Sequence, residues 1–414
     1  MRGTALYVAA VAGPGLLTLP AVATATAGPA AVVAVAGLLL LSAGVAATFV
    51  ALERHTGVQG GGVVQYTRLA FGTTAATVVR AWFVLGVPVG VPALGMIAGE
   101  YVAALTGGGR VTVLVTSIAL SLAALVACLG PRGPVDVLNL PLTILLAAVV
   151  LMAVVLTAGR WDSSHLQPVA PHGWTAVLPA ALVLAWILTG WEAAANFAGS
   201  LADRGRTLRR VTTGAVLIVG LLFLTLTLGQ ILALGPQPGP APVAQLLELA
   251  LGPVGALGAV VLAPVVALNN AAAYTYSLTL VAQPVTGSRH RSLAVVGTVI
   301  AVTLSLATVT TTPVETLVVV CAASQLPVYL TVLLAAVRLL SRHSPARWTA
   351  MACAAAVAGL LLSAGTALIV PAVIAVAAIA YARHSRHHPA RPAAHPAPAT
   401  PPLGADDNAR TPRP

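Results

Sequence analysis

The sequence predicts an all-α polytopic membrane protein with twelve transmembrane helices, and three observations support this prediction. Hydrophobic residues make up 58% of the 414 residues, and only 7% are charged, whereas soluble domains carry about 25% charged residues. Apolar runs of about 18 or more residues, long enough to span a membrane, recur along the chain. Arginine is concentrated in alternate connections between these runs. A water-soluble enzyme is therefore excluded, and the continuous runs do not fit a membrane β-barrel.

Glycine, proline and charged residues divide the apolar runs into successive spans. The predicted spans are 4–27, 30–52, 74–105, 111–129, 137–158, 174–201, 211–235, 254–283, 292–311, 314–339, 347–364 and 366–382. Segment 236–253 contains an apolar stretch too short to cross a membrane, and we expect a short external helix there.

The positions of the arginines predict the orientation of the chain. All 21 basic residues are arginine. If the N-terminus is cytoplasmic, only Arg110 and Arg160 fall outside, and all other arginines fall inside. The positive-inside rule therefore supports twelve spans, cytoplasmic N- and C-termini and a location in the inner (plasma) membrane. The formal charge of +11 then reflects topology, and no nucleic-acid partner is predicted.

The spans divide the chain into four regions. Residues 1–158 form a first repeat of five spans, 174–340 a second repeat, 347–382 the last two spans, and 383–414 a basic cytoplasmic tail. The two repeats cross the membrane in opposite senses because five is an odd number, which predicts a five-plus-five inverted repeat. The tail is rich in Arg, His and Pro and poor in large apolar residues, so we expect it to be disordered.

Interruptions in the first and sixth spans predict the position of a binding site. Gly13, Pro14 and Gly15 interrupt the first span, and Thr189 and Gly190 interrupt the sixth. Non-helical backbone at membrane depth survives only where protein or a wet cavity completes its hydrogen bonds. Matched breaks in the two halves indicate a transporter with a site near the bilayer midplane. Exposed amides there attract a carboxylate and freed carbonyls an ammonium group, so a zwitterionic amino acid fits.

Several motifs resemble those of a known family. The segments "GPGLLTLP", "TAGPA", "GGGVVQYTRLAFG" and "WILTGWEAAANFAG" are similar to the amino acid-polyamine-organocation (APC) superfamily of transporters, through the first ten spans. The segments "AWFVLGVPVGVPALGMIAGEY", "LGPRGPVDVLNL" and "ALNNAAAYTYSL" resemble its bacterial exporters of methionine and branched-chain amino acids. The resemblance implies broken first and sixth helices and an amino acid substrate.

The resemblance also implies roles for residues of the first break. Gly13 and Gly15 match glycines of the unwound first helix, whose amides face the substrate carboxylate in the family. Pro14 departs from the small or hydroxylated residue usual there and removes one N–H donor. We therefore expect the backbone N–H groups of Gly15 and Leu16 to contribute most of the carboxylate binding.

Residues of the sixth span complete the expected site. Trp186 matches a family aromatic residue beside the substrate, and the carbonyls around Trp186, Thr189 and Gly190 would meet the amino group. Glu192 follows the break, and an ionisable residue inside a membrane helix is a functional hypothesis by default. In the resembling family this position takes part in proton-linked transport. The alternative is a protonated Glu192 that only bridges two helices.

Three hydroxyl-bearing residues are further candidates for the site. Thr275 and Ser277 on the eighth span offer oxygens to a sodium ion near the first break, which keeps sodium coupling open beside the favoured proton. Ser324 and Gln325 are expected to interrupt the tenth span, and Ser324 is a candidate cavity-lining residue. Asn269 and Asn270 are expected to hold helices together rather than contact substrate.

The predicted function is proton-coupled export of neutral hydrophobic amino acids by alternating access, without a cofactor or metal and in an unknown oligomeric state. An importer or exchanger of amino acids or amines stays open because gradients set the direction. A non-transporting receptor with the same fold also stays open, because of Pro14. A membrane enzyme would need paired carboxylates, a histidine cluster or a nucleophile with its base at membrane depth, and the sequence suggests none. The three cysteines lie in apolar runs without metal-ligand spacing.

Overall fold

The computed structural model describes residues 13–56, 62–131, 133–188 and 204–387; the side chains of residues 134, 204–209 and 385–387 lie outside that description. Within these ranges the chain is built from helices, with no strand. Ten helices there are long and apolar enough to cross a membrane. The first of these stretches, Gly15–Thr56, holds two helices in succession, and Trp174–Leu188 is a shorter apolar helix. With these counted separately, the segments follow the order of the twelve predicted spans, which confirms the all-α multi-pass fold.

The helices are numbered in chain order. Their bounds are α1 Gly15–Ala27, α2 Ala31–Thr56, α3 Gly62–Ala81, α4 Gly90–Thr106, α5 Gly109–Ala127, α6 Gly133–Thr157, α7 Val177–Leu184, α8 Arg204–Leu234, α9 Pro242–Leu251, α10 Pro253–Thr286, α11 Arg289–Val309, α12 Val314–Leu339, α13 Pro345–Ser363 and α14 Ile369–His387. The short helix expected within 236–253 is α9.

The third predicted span begins earlier than expected and is irregular. Instead of starting near residue 74, helical structure begins at Gly62 and is kinked at Gly72, which has φ 84° and ψ −175°. This φ lies in a region that side chains with a Cβ avoid, so glycine permits the kink. A π-helical segment, Trp82–Gly86, and a 3₁₀ turn, Val87–Val89, then connect α3 to α4. Pro88 and Pro92 cannot donate the regular helical hydrogen bonds, which accounts for this irregular backbone.

Eight of the helices pack as two groups of four. In the first group α1 and α2 pack against α7 and α8. In the second group α10 packs against α4, α5 and α11. Helix α12 packs against α13 and α3 at the side of these groups. A hydrogen bond from the Tyr101 hydroxyl of α4 to the Leu17 carbonyl of α1 links the two groups of four helices.

Small residues allow a close contact between α4 and α5. A Cβ atom added to Gly95 would lie 2.6 Å from the Cα of Ser117, and one added to Gly99 would lie 2.6 Å from the Cα of Val113. The two glycines are four residues apart and so share a face of α4. Backbone contact through small residues is the usual way membrane helices associate, because lipid offers no hydrophobic driving force between them.

Candidate functional site

A cavity lies between the two helix groups, at the start of α1. Its empty space, part of which is open to solvent, amounts to about 350 Å³. Both groups contribute to its wall. The lining residues are Gly13, Pro14, Gly15, Leu16, Leu19, Leu94, Trp186, Ile187, Phe223, Asn270 and Tyr274.

The first predicted break is the point where α1 begins. Pro14 is the N-cap of this helix and has no N–H to donate. The N–H of Leu16 donates to the Gly13 carbonyl at 3.0 Å, and the N–H of Leu17 donates to the Pro14 carbonyl at 2.9 Å. In the first turn of α1, the Gly15 N–H is therefore the backbone donor for which the described residues show no acceptor. A helix N-terminus also favours negative charge, so this end of the cavity suits a carboxylate.

A second part of the wall is formed just after the end of α7. Ala185–Leu188 is a 3₁₀ turn in which Trp186 is buried. A Cβ added to Gly90 would lie 3.0 Å from the Cys321 sulfur and 3.2 Å from Cζ2 of the Trp186 indole. The absence of a side chain at Gly90 thus leaves room for the indole between α4 and α12. The structure places Trp186 in the lining of the same cavity as Gly13, Pro14, Gly15 and Leu16.

Two polar residues of α10, Asn270 and Tyr274, also line the cavity. The sequence analysis did not assign them to the binding site. A Cβ added to Gly13 would lie 2.8 Å from Nδ2 of Asn270, which places this amide directly against the α1 break. Tyr274 lies one turn further along α10 and lines the same cavity. Their spacing of four residues puts them on one helix face, and this spacing is the signal in the sequence that could have indicated a shared role.

Two tyrosine hydroxyls are bonded to the backbone beside the breaks. The hydroxyl of Tyr101 on α4 donates to the Leu17 carbonyl of α1 at 2.9 Å. The hydroxyl of Tyr329 on α12 donates to the Leu188 carbonyl at 2.6 Å. Both tyrosines are buried. Membrane helices with irregular backbone need such partners, and the Tyr101 bond also joins the two helix groups.

The three hydroxyl-bearing candidates lie in different surroundings. Thr275 is fully buried, and its hydroxyl has no hydrogen-bond partner among the described residues. Ser277 is exposed and donates to the Ala273 carbonyl of its own helix at 2.9 Å, so the structure does not bring it to Thr275. Ser324 is buried, bonds to the Val320 carbonyl and lies against Gly86. It is outside the cavity lining, and α12 continues without a break through this position.

Three predicted residues, Thr189, Gly190 and Glu192, lie outside the described residues, as does most of the tail. Within the described ranges no group of three His, Cys, Asp or Glu residues is placed to hold a metal ion. The cysteines Cys128, Cys321 and Cys353 are buried and free.

The chain that forms this cavity is similar to known proteins in sequence and in fold. A family profile described as amino acid permease matches residues 2–286. The chain belongs to the amino acid permease family. This confirms the resemblance to the APC superfamily inferred from the motifs.

Two curated proteins and one solved structure are similar to this permease. The uncharacterized amino acid permease YecA of Bacillus subtilis (strain 168) is 30% identical over 195 residues, which are 46% of this chain and 45% of that protein. The L-methionine/branched-chain amino acid exporter YjeH of Escherichia coli (strain K12) is 29% identical over 224 residues, 54% of this chain and 53% of that protein. The permease thus spans about half the length of the curated relatives it matches.

The fold is similar to that in a crystal structure of MhsT in complex with L-phenylalanine. The TM-score is 0.58 at 17% identity, over 91% of this chain and 98% of that chain. At this identity the similarity establishes the shared fold alone.

Proposed function

We propose that this permease is a secondary active transporter that exports neutral hydrophobic amino acids by alternating access. The observation that carries the proposal is the position of the cavity, which is bounded by α1, α7 and α8 on one side and by α4 and α10 on the other. A site between two helix bodies opens to opposite sides of the membrane when one body rocks against the other.

The lining of the cavity supports the proposed substrate class. Leu16, Leu19, Leu94, Ile187 and Phe223 offer an apolar surface, which matches an aliphatic or thioether side chain. None of the described lining residues is charged. A substrate with a charged side chain would lose its hydration there without gaining a partner of opposite charge, which costs roughly several kcal/mol.

The polar parts of the lining would orient the zwitterionic end. The Gly15 amide and the positive end of the α1 dipole suit a carboxylate. The side chain of Asn270 adds a donor and an acceptor beside the same break. The substrate named for the relative YjeH, methionine or a branched-chain amino acid, has this combination of an apolar side chain and a zwitterion.

We assign proton coupling to Glu192, on the grounds that it is the acidic residue that follows the sixth-span break. Proton coupling in the exporting direction makes the transporter an antiporter. Sodium is the competing coupling ion. The buried hydroxyl of Thr275, which lacks a partner among the described residues, favours that second possibility, whereas the exposed Ser277 does not.

A gradient-driven efflux assay tests the proposal. Liposomes containing the purified permease are loaded with labelled L-leucine at pH 8 and diluted into buffer at pH 6 or pH 8. An antiporter releases leucine faster into the acidic buffer, and a protonophore removes the difference. Labelled arginine and glutamate serve as charged controls and should show no difference from protein-free liposomes. A sodium gradient in place of the pH gradient distinguishes the two ions.

The same assay tests the receptor alternative. Few backbone donors are left for a carboxylate, because Pro14 has no N–H and the N–H groups of Leu16 and Leu17 are bonded within the chain. This observation favours a protein that binds its ligand weakly or does not transport it. Leucine binding detected by a thermal shift, without efflux under any gradient, would support the receptor and contradict the transporter.

A further inference from the structure

The kinked helix α3 places two arginines on either side of its bend. Gly72 forms the bend; Arg68 precedes it and Arg80 follows it. Leu69 and Phe71, beside the bend, leave 48% and 38% of their surface exposed. The guanidinium of Arg338 on α12 lies 5.7 Å from the centre of the Phe71 ring. We call Arg68, Arg80, Leu69 and Phe71 the α3 elbow.

No counter-charge for Arg80 is found among the described residues. Its side chain is half-buried, and its Nε atom is buried with no hydrogen-bond partner in the described part of the chain. The neighbouring charge that acts on Arg80 is Arg68, which has the same sign. A partly buried charge beside a like charge is unfavourable unless an anion compensates it. The arrangement therefore points to an anionic ligand from outside the protein.

The depth of Arg80 favours a lipid over a free anion. Six residues separate Arg80 from Gly86, which lies against Ser324 of α12; this is about 9 Å of helix. Fifteen residues, about 22 Å, separate Ser324 from Leu339 at the end of α12. With α3 and α12 taken as parallel, Arg80 is then on the order of 10 Å nearer the membrane centre than the end of α12. An arginine at such a depth extends its side chain toward the headgroups and draws them toward itself.

We propose that the α3 elbow is a binding site for one anionic phospholipid of the cytoplasmic leaflet. Arg68 and Arg80 bind the phosphate, since guanidinium groups form paired hydrogen bonds with phosphate oxygens. Leu69 and Phe71 contact the apolar part of the lipid. The side of the membrane follows from the orientation predicted by the arginine distribution. Basic pockets between membrane helices are a known kind of site for anionic headgroups.

Anionic lipids are preferred over zwitterionic ones for an electrostatic reason. A phosphatidylcholine headgroup carries its own cation, which reduces the attraction to two arginines. A phosphatidylglycerol headgroup carries a net negative charge and no such cation. Each basic residue near the membrane surface increases the affinity for an anionic lipid about fivefold.

Native mass spectrometry of the full-length permease in detergent tests the site without reference to transport. The protein is titrated with phosphatidylglycerol, with phosphatidylcholine and with inorganic phosphate. We expect one phosphatidylglycerol to bind at least tenfold more tightly than phosphatidylcholine. Phosphate at millimolar concentration should not displace it. The variants Arg80→Gln and Arg68→Gln should each weaken this binding about fivefold. Arg80→Lys, which keeps the charge, should weaken it less.

Arg342→Gln is the matched control, because Arg342 is exposed on the same side of the membrane and lies outside the elbow. It should leave the binding unchanged. Equal affinity of Arg68→Gln and the unmodified protein would overturn the proposal, even if Arg80→Gln fails to fold. Equal binding of the two lipids, or displacement by phosphate, would also overturn it. Because binding is measured directly, the result is independent of whether the permease transports amino acids.

Discussion

The hydroxyl of Tyr101 on α4 donates a hydrogen bond to the Leu17 carbonyl of α1, at 2.9 Å. This bond joins the two helix groups immediately beside the cavity. Tyr101 therefore connects α1 and α4, and separation of the two groups on this side of the cavity would have to break this bond.

Removal of the Tyr101 hydroxyl should loosen the connection between the groups. We expect Tyr101→Phe to lower the free energy of unfolding by about 1 kcal/mol, the usual contribution of one buried hydrogen bond. It should also change the rate of amino acid exchange, because the conformation described here loses the hydrogen bond between α4 and α1. Thermal unfolding and exchange in liposomes measure the two effects. Thr298→Val is the control, since Thr298 is exposed and bonds to its own helix. Wild-type behaviour of Tyr101→Phe in both assays would contradict the role.

Gly95 and Gly99 should be intolerant of any side chain. A Cβ at either position would lie 2.6 Å from a backbone atom of α5, so the two helices would have to move apart. We expect Gly95→Ala and Gly99→Ala each to cost about 1–3 kcal/mol, as overpacking usually does. Gly359→Ala in α13 is the control because nothing lies within 4 Å of its added Cβ. Thermal unfolding in detergent measures the change, and a Gly99→Ala variant as stable as Gly359→Ala would show that the α4–α5 contact is not tight.

Gly90 should influence which amino acids the cavity accepts. The Cβ of Gly90→Ala would lie 3.2 Å from the Trp186 indole, so the ring would shift. If the proposed function is correct, transport of leucine and methionine should fall more than transport of alanine. Competition between these amino acids in liposomes measures the ratio. Gly37→Ala, with nothing within 4 Å of its Cβ, should leave the ratio unchanged. An equal fall for all three substrates would indicate a general structural defect instead.

Glu192 should couple transport to protons. Glu192→Gln cannot release a proton, so we expect loss of the difference between acidic and alkaline buffers while exchange of leucine persists. The control is Glu248→Gln on α9, because Glu248 is exposed. The efflux assay with and without a pH gradient measures both quantities. Full pH dependence in Glu192→Gln would assign the coupling to another group.

The sequence was sufficient to predict features that depend on local physics. Long apolar runs predict the helices, and the segment of Gly13, Pro14 and Gly15 predicts a helix boundary at Pro14, because proline and glycine act within a few residues. The kink at Gly72 and the π-helical segment before Gly90 were not predicted. Their geometry depends on how α3 and α4 pack against α12, which hydropathy does not report.

The composition of the cavity wall was predicted only in part. Phe223, Asn270 and Tyr274 face the cavity because of how α8 and α10 are rotated within their groups, and rotation depends on packing between distant parts of the chain. Thr275 and Ser277 illustrate the same limit. They are two residues apart, which places them about 200° apart around a helix, so one is buried and the other exposed.

Counterflow in liposomes tests the central claim, that the cavity between the two helix groups binds and transports neutral hydrophobic amino acids. Liposomes loaded with unlabelled L-methionine or L-leucine are placed in a trace of the labelled amino acid, with no ion gradient. This assay depends neither on the coupling ion nor on the direction of net transport. We predict transient accumulation of label above the level of protein-free liposomes, and no accumulation with arginine or glutamate. Label at the protein-free level for every amino acid in a broad panel would contradict the claim.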